Sequence, residues 1–391
     1  RLNFSHGSYD DHAGAVELIR SLNEELGLNV AILADLQGPK IRTNEMENNS
    51  VELINGIGEI VSPTLVRVNG QEIETKNIII ATGSVPSMIS FEGDDFDVIH
   101  TSRDILSLEE WPKEMVVVGA GVIGCEMAGI FNQFGTNVTL VEYLDEILPP
   151  LDKDIKKRAR NLFKRQGLSI YTKSAFKKVI KEKDSYKAII EQKGREIELP
   201  TDYILLSTGR KPNFGGLNLD QLGIKYTAKG ITVNQSKQTS IDNIYAIGDV
   251  NGELMLAHKA TYDGIKVLHH IKGESSTIHF DEVPSVVFTF PEIATVGKIE
   301  AEMTGEYRTS KYLFKTNAKA ECLNETEGFV KLVVDESDIL VGAHIIGAHA
   351  SDLIHEATAL IYNRMNINDI KLIIHAHPTI SEALSECIKK F

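Results

Sequence analysis

Apolar and polar residues follow different periods along the chain, and the clearest change of period lies between Met115 and Glu142. Val116 to Val118 form a continuous apolar run, which is typical of a strand buried on both faces of a parallel sheet. Beyond the spaced glycines of GAGVIG the apolar residues recur at a helical period, and a second strand is expected from Asn137 to Val141. The segment therefore predicts a strand-helix-strand unit.

The three glycines of this unit stand where a dinucleotide site needs them. Gly119 permits the tight turn after the strand, Gly121 lets the backbone approach a diphosphate, and Gly124 lets the helix pack closely on the sheet. The helix N-terminus presents unpaired N–H groups to that diphosphate. Glu142 can accept both ribose hydroxyls and would repel a 2′-phosphate, so NAD is predicted in preference to NADP. A glycine-rich turn in another parallel sheet is the alternative.

Blocks of strand-type and helix-type pattern alternate along the rest of the chain, which favours an α/β fold class. The polar stretch NEMENNS separates an N-terminal βαβ-like unit from the remainder. We expect four parts, at residues 1–48, 49–112 with 241–280, 113–240, and 281–391. Further strands are expected at 77–80, 203–206, 244–247, 285–290, 329–334 and 339–346, and a helix near 351–364.

Composition narrows the possible partners. The chain has 391 residues, 42% hydrophobic and 25% charged, as in an ordinary soluble globular protein. Its net charge of −14 argues against nucleic acid and anionic membranes as partners. No apolar stretch approaches the roughly 18 residues of a membrane span, and no signal peptide is found. Because the chain begins with Arg1, we expect the natural start to be missing.

Cysteine usage indicates a reducing compartment, cytoplasmic or, in a eukaryote, mitochondrial. The three cysteines are too far apart in sequence to suggest a disulfide framework: Cys125, Cys322 and Cys387. Cys125 falls in the first turn of the predicted dinucleotide helix, where its pKa could be lowered. A small residue packed on the sheet is the preferred interpretation.

Two histidines and a carboxylate near the C-terminus form a candidate general base. In His375-Ala-His-Pro-Thr-Ile-Ser-Glu382, the carboxylate follows His377 by five residues. A carboxylate that accepts from one imidazole nitrogen fixes the tautomer and raises the basicity of the other nitrogen. The alternatives are a surface histidine before a helix cap and a metal pair of His375 with His377, which lacks a third ligand nearby. We expect no metal site.

Several motifs together resemble those of the flavin-dependent pyridine nucleotide disulfide oxidoreductases. They are ATGSVP, GAGVIGCE with VTLVE, STGRKPN, YAIGDV with MLAHKA, TFPEIATVG and HAHPTISE. Within that family the chain is similar to the dihydrolipoamide dehydrogenases from about Ser50 to Glu386. The resemblance implies Rossmann-like FAD- and NAD-binding domains and a C-terminal α+β dimerisation domain in a homodimer. It also implies dihydrolipoamide on an acyl-carrier protein or domain as substrate and NAD as acceptor.

The resemblance also implies roles for single residues. Those beside FAD follow two strands or begin a helix: Thr82, Gly83, Ser84, Asp249, Ala257 and His258. Those that hold NAD are Gly119, Gly121, Gly124, Glu142 and Gly209. His377 and Glu382 would serve a redox dithiol, reaching across the homodimer from the other subunit.

Two parts of the family pattern are not found in the given sequence. These are the first GxGxxG, which holds the FAD diphosphate, and a CxxxxC pair. Contacts to a diphosphate contribute roughly 1.5 to 3 kcal/mol each, so losing two or three costs about two to six powers of ten in affinity. We therefore expect an incomplete FAD domain and weakened FAD binding. The chain is predicted to be inactive with dihydrolipoamide; the alternatives are a non-catalytic NAD-binding and dimerising fragment, or an NADH diaphorase if FAD binds.

Residues 1–48 resemble another family. RLNFSHG and VAILADLQGPKIRT are similar to the first barrel strands of pyruvate kinase. By that resemblance the ligand-binding positions are Arg1, Asn3, Ser5, Asp35 and Arg42. A complete barrel needs eight strands, so no kinase activity is expected. The join near residues 44–50 is predicted to be a fusion of two fragments.

Overall fold

The computed structural model describes residues 2–3, 34–35, 54–108, 110–183 and 185–391, in two compact units, 1–57 and 58–391. In the first unit, Leu2–Asn3 pairs in parallel with Ala34–Asp35. The remainder of the expected βαβ-like unit and the candidate residues Arg1, Ser5 and Arg42 lie outside the described residues.

A five-stranded parallel sheet, here called the central sheet, forms the middle of the second unit. Its strands lie in the order Ser169–Tyr171, Asn137–Val141, Glu114–Val118, Tyr203–Leu206 and Ile99–Thr101. The predicted strands at 116–118, 137–141 and 203–206 are thereby confirmed. Ile99–Thr101 joins this sheet although it precedes the boundary expected at residue 113.

Both faces of the central sheet are covered, which explains why its strands are continuously apolar. Met115 and Val117 pack with the helices Val122–Gln133 and Lys153–Arg165 on one face. Val116 and Val118 pack on the other face against a three-stranded antiparallel sheet. The strands of that sheet are Ser174–Glu182, Ser185–Gln192 and Arg195–Thr201. The result is a three-layer arrangement with successive side chains buried on opposite sides.

A second part, here called the outer region, surrounds one parallel strand pair, Ile78–Ile80 with Ile244–Ala246. Both strands confirm the sequence prediction. Around them lie antiparallel strands at Gly58–Ser62, Leu65–Val68, Gln71–Glu74, Ser84–Pro86 with Arg210–Pro212, and Tyr226–Thr227 with Gly230–Ile231. The helices here are Leu219–Leu222 and Ala257–Ile271, with a short 3-10 turn at Gly248–Asn251.

The apolar core of the outer region joins two distant parts of the chain. Ile60, Ile78 and Ile80 pack with residues between Leu217 and Val250. The side chains after about residue 213 therefore pack with the outer region, before the boundary expected at 240. Asn69 and Gly70 have positive φ and form the turn between two of the antiparallel strands.

The C-terminal part of the second unit combines a sheet with helices, and the expected bounds 281–391 stay a prediction. Its five-stranded antiparallel sheet has the order Ser285–Val287, Ile293–Gly297, Leu340–Ile346, Phe329–Asp335 and Tyr307–Leu313. Its helices are Ala318–Leu323, Ala350–Tyr362, Ile367–Ile370 and Glu382–Ile388. Three further 3-10 turns of the unit lie at Asp104–Ser107, Glu300–Glu302 and Phe314–Thr316. Among the described residues, no helix combines the length and the apolar character needed to cross a membrane.

Candidate functional site

Two glycines of the GAGVIG turn are required by the protein's own packing. Gly119 has φ +97°, and a Cβ there would lie 2.5 Å from the carbonyl oxygen of Ser207. A Cβ on Gly124 would lie 2.0 Å from the carbonyl oxygen of Gly119. Because no real Cβ approaches backbone so closely, both positions hold the strand, the turn and the helix together.

The other two predicted glycines face open space. A Cβ added to Gly121 or to Gly209 would meet no atom within 4 Å. Gly121 is the N-cap of the helix Val122–Gln133 and has no side chain to bond the first-turn N–H groups. These donors therefore remain directed at the space that a Cβ would partly fill, which is the arrangement a diphosphate needs.

Glu142 is almost fully buried, with 7% exposure, and is held by backbone donors on both oxygens. Its Oε2 accepts from Ala120 N at 2.7 Å and its Oε1 from Leu144 N at 2.8 Å. The carboxylate therefore fastens the glycine turn to the end of the neighbouring strand while each oxygen keeps acceptor capacity. Sequence reasoning found this residue but missed its structural role, because the turn and the strand end meet only in the folded sheet.

A cavity of about 620 Å³ connects these residues, a size within the ordinary range for ligand pockets. Gly119, Gly121, Glu142 and Gly209 all line it, whereas Gly124 does not. The sequence analysis did not single out several other lining residues: Ile89, Tyr143, Phe176, Ser207 and Thr208. The last two follow the strand Tyr203–Leu206, and the rule that ligands bind beyond the carboxyl ends of parallel strands could have found them.

Four residues assigned to FAD by resemblance, Thr82, Gly83, Ser84 and Asp249, lie close together in the outer region. Ser84 Oγ donates to Asp249 Oδ2 at 2.5 Å. Arg210 donates to the Ser84 hydroxyl from Nε at 2.7 Å and to its carbonyl from Nη2 at 2.8 Å. Thr82 donates to the carbonyl of Asn213. Gly83 has φ +69°, and a Cβ there would meet open space. Arg210 was missed, although it directly follows Gly209.

Ala257 and His258 begin the helix Ala257–Ile271, as the resemblance requires. No side chain caps this helix, so its first N–H groups are left for other partners. The His258 ring contacts the carbonyl of Pro284 through Nε2 at 2.9 Å.

His377 and Glu382 form the predicted dyad. His377 Nδ1 lies 2.9 Å from Glu382 Oε1, and the other carboxylate oxygen accepts from Thr379 N at 2.8 Å. The Thr379 amide and the His377 ring together hold the pKa of the Glu382 carboxyl below its usual value. The His377 side chain is 72% exposed. An ionised carboxylate on Nδ1 fixes the proton there and leaves Nε2 as the accepting nitrogen.

His375 belongs to a different contact. Its Nε2 lies 2.8 Å from Glu356 Oε1, and its side chain is buried. The two histidines are thus held by separate carboxylates. Cys125 is a buried packing residue, as preferred from the sequence, and burial raises the pKa of its thiol well above the ordinary value. Of the other cysteines, Cys387 is buried and Cys322 is exposed.

A parallel sheet with a glycine-rich turn, a second region arranged around a parallel strand pair and a C-terminal α+β domain define a dinucleotide-dependent oxidoreductase class. A family model described as pyridine nucleotide-disulphide oxidoreductase matches residues 15–264, and the dimerisation domain of the same family matches residues 283–388. The chain belongs to this family, whose members bind FAD and NAD(P). The first match overlaps residues 1–48, and the resemblance of that segment to pyruvate kinase stays a prediction.

Individual relatives are dihydrolipoyl dehydrogenases and flavoprotein disulfide reductases. The mitochondrial dihydrolipoyl dehydrogenase of Pisum sativum is 38% identical over 353 residues, which are 87% of this chain and 70% of that protein. The Bacillus subtilis enzyme is 35% identical over 351 residues, 88% of this chain and 76% of that protein. The HOCl-induced flavoprotein disulfide reductase RclA from Escherichia coli superimposes with a TM-score of 0.80 at 25% identity, covering 86% and 79% of the two chains.

Proposed function

We propose that this chain is a dihydrolipoamide dehydrogenase-type oxidoreductase that binds NAD, and that these 391 residues alone do not oxidise dihydrolipoamide. The observation that carries the first part is the pair of glycines, Gly121 and Gly209, whose missing side chains leave space in a cavity bordered by Glu142. The second part depends on the sequence, in which no two cysteines have the CxxxxC spacing.

The residues present fit NAD. The uncapped helix N-terminus beyond Gly121 suits the diphosphate, and the oriented Glu142 carboxylate suits the ribose hydroxyls. That carboxylate would repel a 2′-phosphate, so NADP binds more weakly. Gly209 lines the same cavity, beyond the end of the strand Tyr203–Leu206. Because it has no side chain, the rest of the NAD molecule can approach the backbone there.

The residues present fit part of FAD. Asp249 and the first N–H groups of the helix from Ala257 offer polar partners, while Ile79 of the parallel strand pair is 40% exposed. When bound, FAD supplies the carrier for two electrons between thiols and NAD. Ser84 and Arg210 orient the Asp249 carboxylate toward that site.

His377 is the proton-handling residue of the proposed class. Its Nδ1 proton points to Glu382, so Nε2 can take a proton from a thiol and return it. The exposed position of the ring fits a base that serves a substrate or a second subunit from the protein surface. The dimerisation domain supports a homodimer, and dihydrolipoamide on an acyl-carrier protein or domain is the proposed partner of the parent activity.

A titration with NADH tests the cofactor proposal. In Gly121→Ala the new Cβ has room in the free protein, so we expect unchanged thermal stability and a loss of NADH affinity of at least about tenfold. Gly129→Ala, in the same helix and also without a close neighbour, is the matched control and should bind NADH normally. Equal NADH affinity in the two variants would contradict the proposed cofactor position.

Activity with dihydrolipoamide tests the second part. The purified chain should reduce NAD no faster than a His377→Ala variant. A rate far above that of the variant would show that the missing cysteine pair is not needed.

Two alternative functions can be distinguished from the proposed one by experiment. A non-catalytic NAD-binding and dimerising fragment is favoured by the parallel pair of only two strands in the described outer region. An NADH diaphorase is favoured by the Ser84–Asp249 contact, which keeps a flavin-facing acceptor in place. Flavin absorbance of the purified protein separates them, because a colourless protein has no flavin to carry diaphorase turnover.

A further inference from the structure

The described residues contain two clusters in which three side chains of the kind that bind metals converge. In one of them a lysine ammonium group stands where a metal ion would. Asp152, Asp154 and Glu300 surround the buried Lys331. Its Nζ lies 2.8 Å from both oxygens of Asp152, 2.7 Å from Asp154 Oδ2 and 2.5 Å from Glu300 Oε1. Burial opposes the charge, but these hydrogen bonds keep the Lys331 pKa above its ordinary value. Lys153 also pairs with Glu300 and Lys311 with Asp154, so lysines balance the charge of the first cluster.

The second cluster, His279 with Asp281 and Glu282, has the same convergence without such a cation. One donor atom from each residue lies within 4.8 Å of the other two. His279 Nδ1 is 2.9 Å from Glu282 Oε2 and 3.9 Å from Asp281 Oδ2. No lysine or arginine of the described chain forms an ion pair with either carboxylate.

Glu282 supplies a second observation. Its Oε2 is buried and has no hydrogen-bond partner among the described residues, although His279 Nδ1 is close. A buried carboxylate oxygen without a donor is costly, and native proteins satisfy such atoms with a proton donor, water or an ion. The oxygen lies 2.9 Å from Nδ1 of His279, so a shared zinc ion would move the two atoms apart by a few tenths of an ångström.

The imidazole is already oriented by packing. The His279 ring stacks on Tyr362 of the helix Ala350–Tyr362, with centroids 4.6 Å apart and planes within 9°. A ring held on an aromatic face loses little freedom when its Nδ1 binds a metal, and its orientation is fixed as metal-binding histidines require.

The nearby lysines do not fill the cluster. His279 and Asp281 line a cavity of about 950 Å³ together with Lys237, Lys259 and Lys266. Glu253 Oε2 lies 2.6 Å from the Nζ atoms of both Lys237 and Lys259, and Asp263 Oδ2 lies 2.7 Å from Lys259 Nζ. Lys266 donates to the carbonyl of Ile278 at 2.7 Å. Two of the three ammonium groups therefore have their own carboxylates.

We propose that His279, Asp281 and Glu282 bind one divalent transition-metal ion of the zinc class. Zinc takes imidazole nitrogen and carboxylate oxygen at about 2.0–2.2 Å, which places neighbouring tetrahedral ligands roughly 3.3–3.6 Å apart. The observed separations of 2.9 and 3.9 Å bracket this range. A single nitrogen among carboxylates suits zinc better than calcium or magnesium, which prefer oxygen ligands alone. The fourth position faces water or an anion in the cavity.

Calorimetric titration of the full chain with ZnCl₂ tests the proposal. A Cys322→Ser background removes the exposed thiol as a competing ligand. We expect one ion per chain, and at least about tenfold weaker binding in His279→Phe, which keeps a ring on Tyr362 but removes the ligand nitrogen. Glu282→Gln should weaken binding in the same direction. His349→Asn is the matched control, because Glu325 and Asp352 lie near different nitrogens of that ring.

Cobalt provides a second readout, the coordination geometry of the bound ion. Co²⁺ at this site should give visible absorption bands of a four-coordinate ion, lost in His279→Phe and kept in His349→Asn. Zinc should also raise the midpoint of thermal unfolding of the background protein but not of His279→Phe. Zinc binding of equal strength in both histidine variants, or no saturable binding by the background protein, would overturn the proposal. Circular dichroism of each variant verifies folding, and Glu282→Gln decides the question if His279→Phe does not fold.

Discussion

The central sheet and the outer region are both arranged around parallel strands, yet they support their binding residues differently. The central sheet has five parallel strands covered on both faces, and its glycine turn is locked by Ser207 and Glu142. In the described outer region the parallel pair has two strands, and Ile79 on one of them is 40% exposed. Binding residues can thus stand in the expected places while their structural support differs.

The comparison teaches that the residues of one sequence motif can meet two separate needs, the packing of the fold and the space for a ligand. Gly119 and Gly124 are needed to assemble the turn, whereas Gly121 and Gly209 face open space in the proposed NAD site, and the φ of +117° at Gly209 by itself requires glycine. In the outer region, Ser84 donates to Asp249 Oδ2 at 2.5 Å, so one carboxylate oxygen is engaged internally and the other keeps acceptor capacity for a ligand. We expect tight nucleotide binding at the central sheet and weaker binding at the outer region.

The largest expected effect concerns the contact between the central sheet's helix layer and the C-terminal domain. Lys331→Met removes the buried cation that contacts Asp152, Asp154 and Glu300; the last two keep Lys311 and Lys153, but the buried Asp152 loses its ion-pair partner. Removing one partner of a buried ionic cluster costs about 3–5 kcal/mol. Urea unfolding should show this loss. The geometry implies that the carboxylates are ionised. A variant as stable as the parent would contradict this.

The next effect separates turn assembly from ligand space. Gly124→Ala forces a Cβ against the carbonyl oxygen of Gly119, so we expect a loss of about 1–3 kcal/mol in the free energy of unfolding. Gly129→Ala in the same helix should be neutral or slightly stabilising, because Ala favours helix more than Gly does. Thermal unfolding of both variants without cofactor measures the difference. Equal midpoints would remove the distinction between the two kinds of glycine.

Glu142→Gln tests how far the central site depends on its charge. The amide removes the negative charge that is proposed to accept the ribose hydroxyls, and a charge-assisted hydrogen bond contributes about 1.5–3 kcal/mol. NADH affinity should therefore fall by about 10- to 150-fold, and the preference over NADPH should narrow. Fluorescence titration with both cofactors gives the two constants. An unchanged preference would show that another group excludes the 2′-phosphate.

Asp249→Ala tests the outer region in the same way. If this carboxylate contributes one ordinary hydrogen bond to flavin, FAD affinity should fall by about 1 kcal/mol, or roughly fivefold, while NADH affinity stays the same. Quenching of flavin fluorescence on adding protein measures the first and the NADH titration the second. A parallel loss of NADH binding would show that the two regions do not act separately.

The smallest effect is a pH dependence in the C-terminal domain. His344 is fully buried between Thr295 and the carbonyl of Lys298, and burial lowers the pKa of its imidazole below 6.5. The unfolded chain takes up a proton near pH 6.5 while the folded chain does not, so stability decreases as pH falls below about 6.5. His344→Gln should flatten the slope of unfolding free energy between about pH 6.5 and 5. An unchanged slope would show that the pH dependence comes from other groups, such as His100. Burial also lowers the pKa of that imidazole.

Much of the site could be predicted because its signals are local. The apolar run before Gly119 and the glycine spacing predict a strand, a turn and a helix without knowledge of the rest of the chain. The His377–Glu382 pair is equally local, since five residues separate its members and the Thr379 amide lies between them. Such short segments have few ways to arrange their backbone, so residue type and spacing suffice.

Contacts between distant segments could not be predicted in the same way. Arg210 reaches Ser84 only because Arg210–Pro212 pairs with Ser84–Pro86. Ile99–Thr101 likewise belongs to the central sheet because it pairs with Tyr203–Leu206. The sequence of Ile99–Thr101 alone does not indicate that membership. Neither partner carries a pattern that identifies the other.

The sequence by itself determined the strand-turn-helix unit, the identity of the acid that follows it, and the C-terminal dyad, because each depends on residues close together in the chain. Only the tertiary structure decided which glycines serve packing and which leave room for a ligand, and that Lys331 contacts three carboxylates from other segments. The physical reason is that steric contact and charge compensation depend on the distance in space between atoms. Sheet pairing sets that distance, and the spacing of residues along the chain does not.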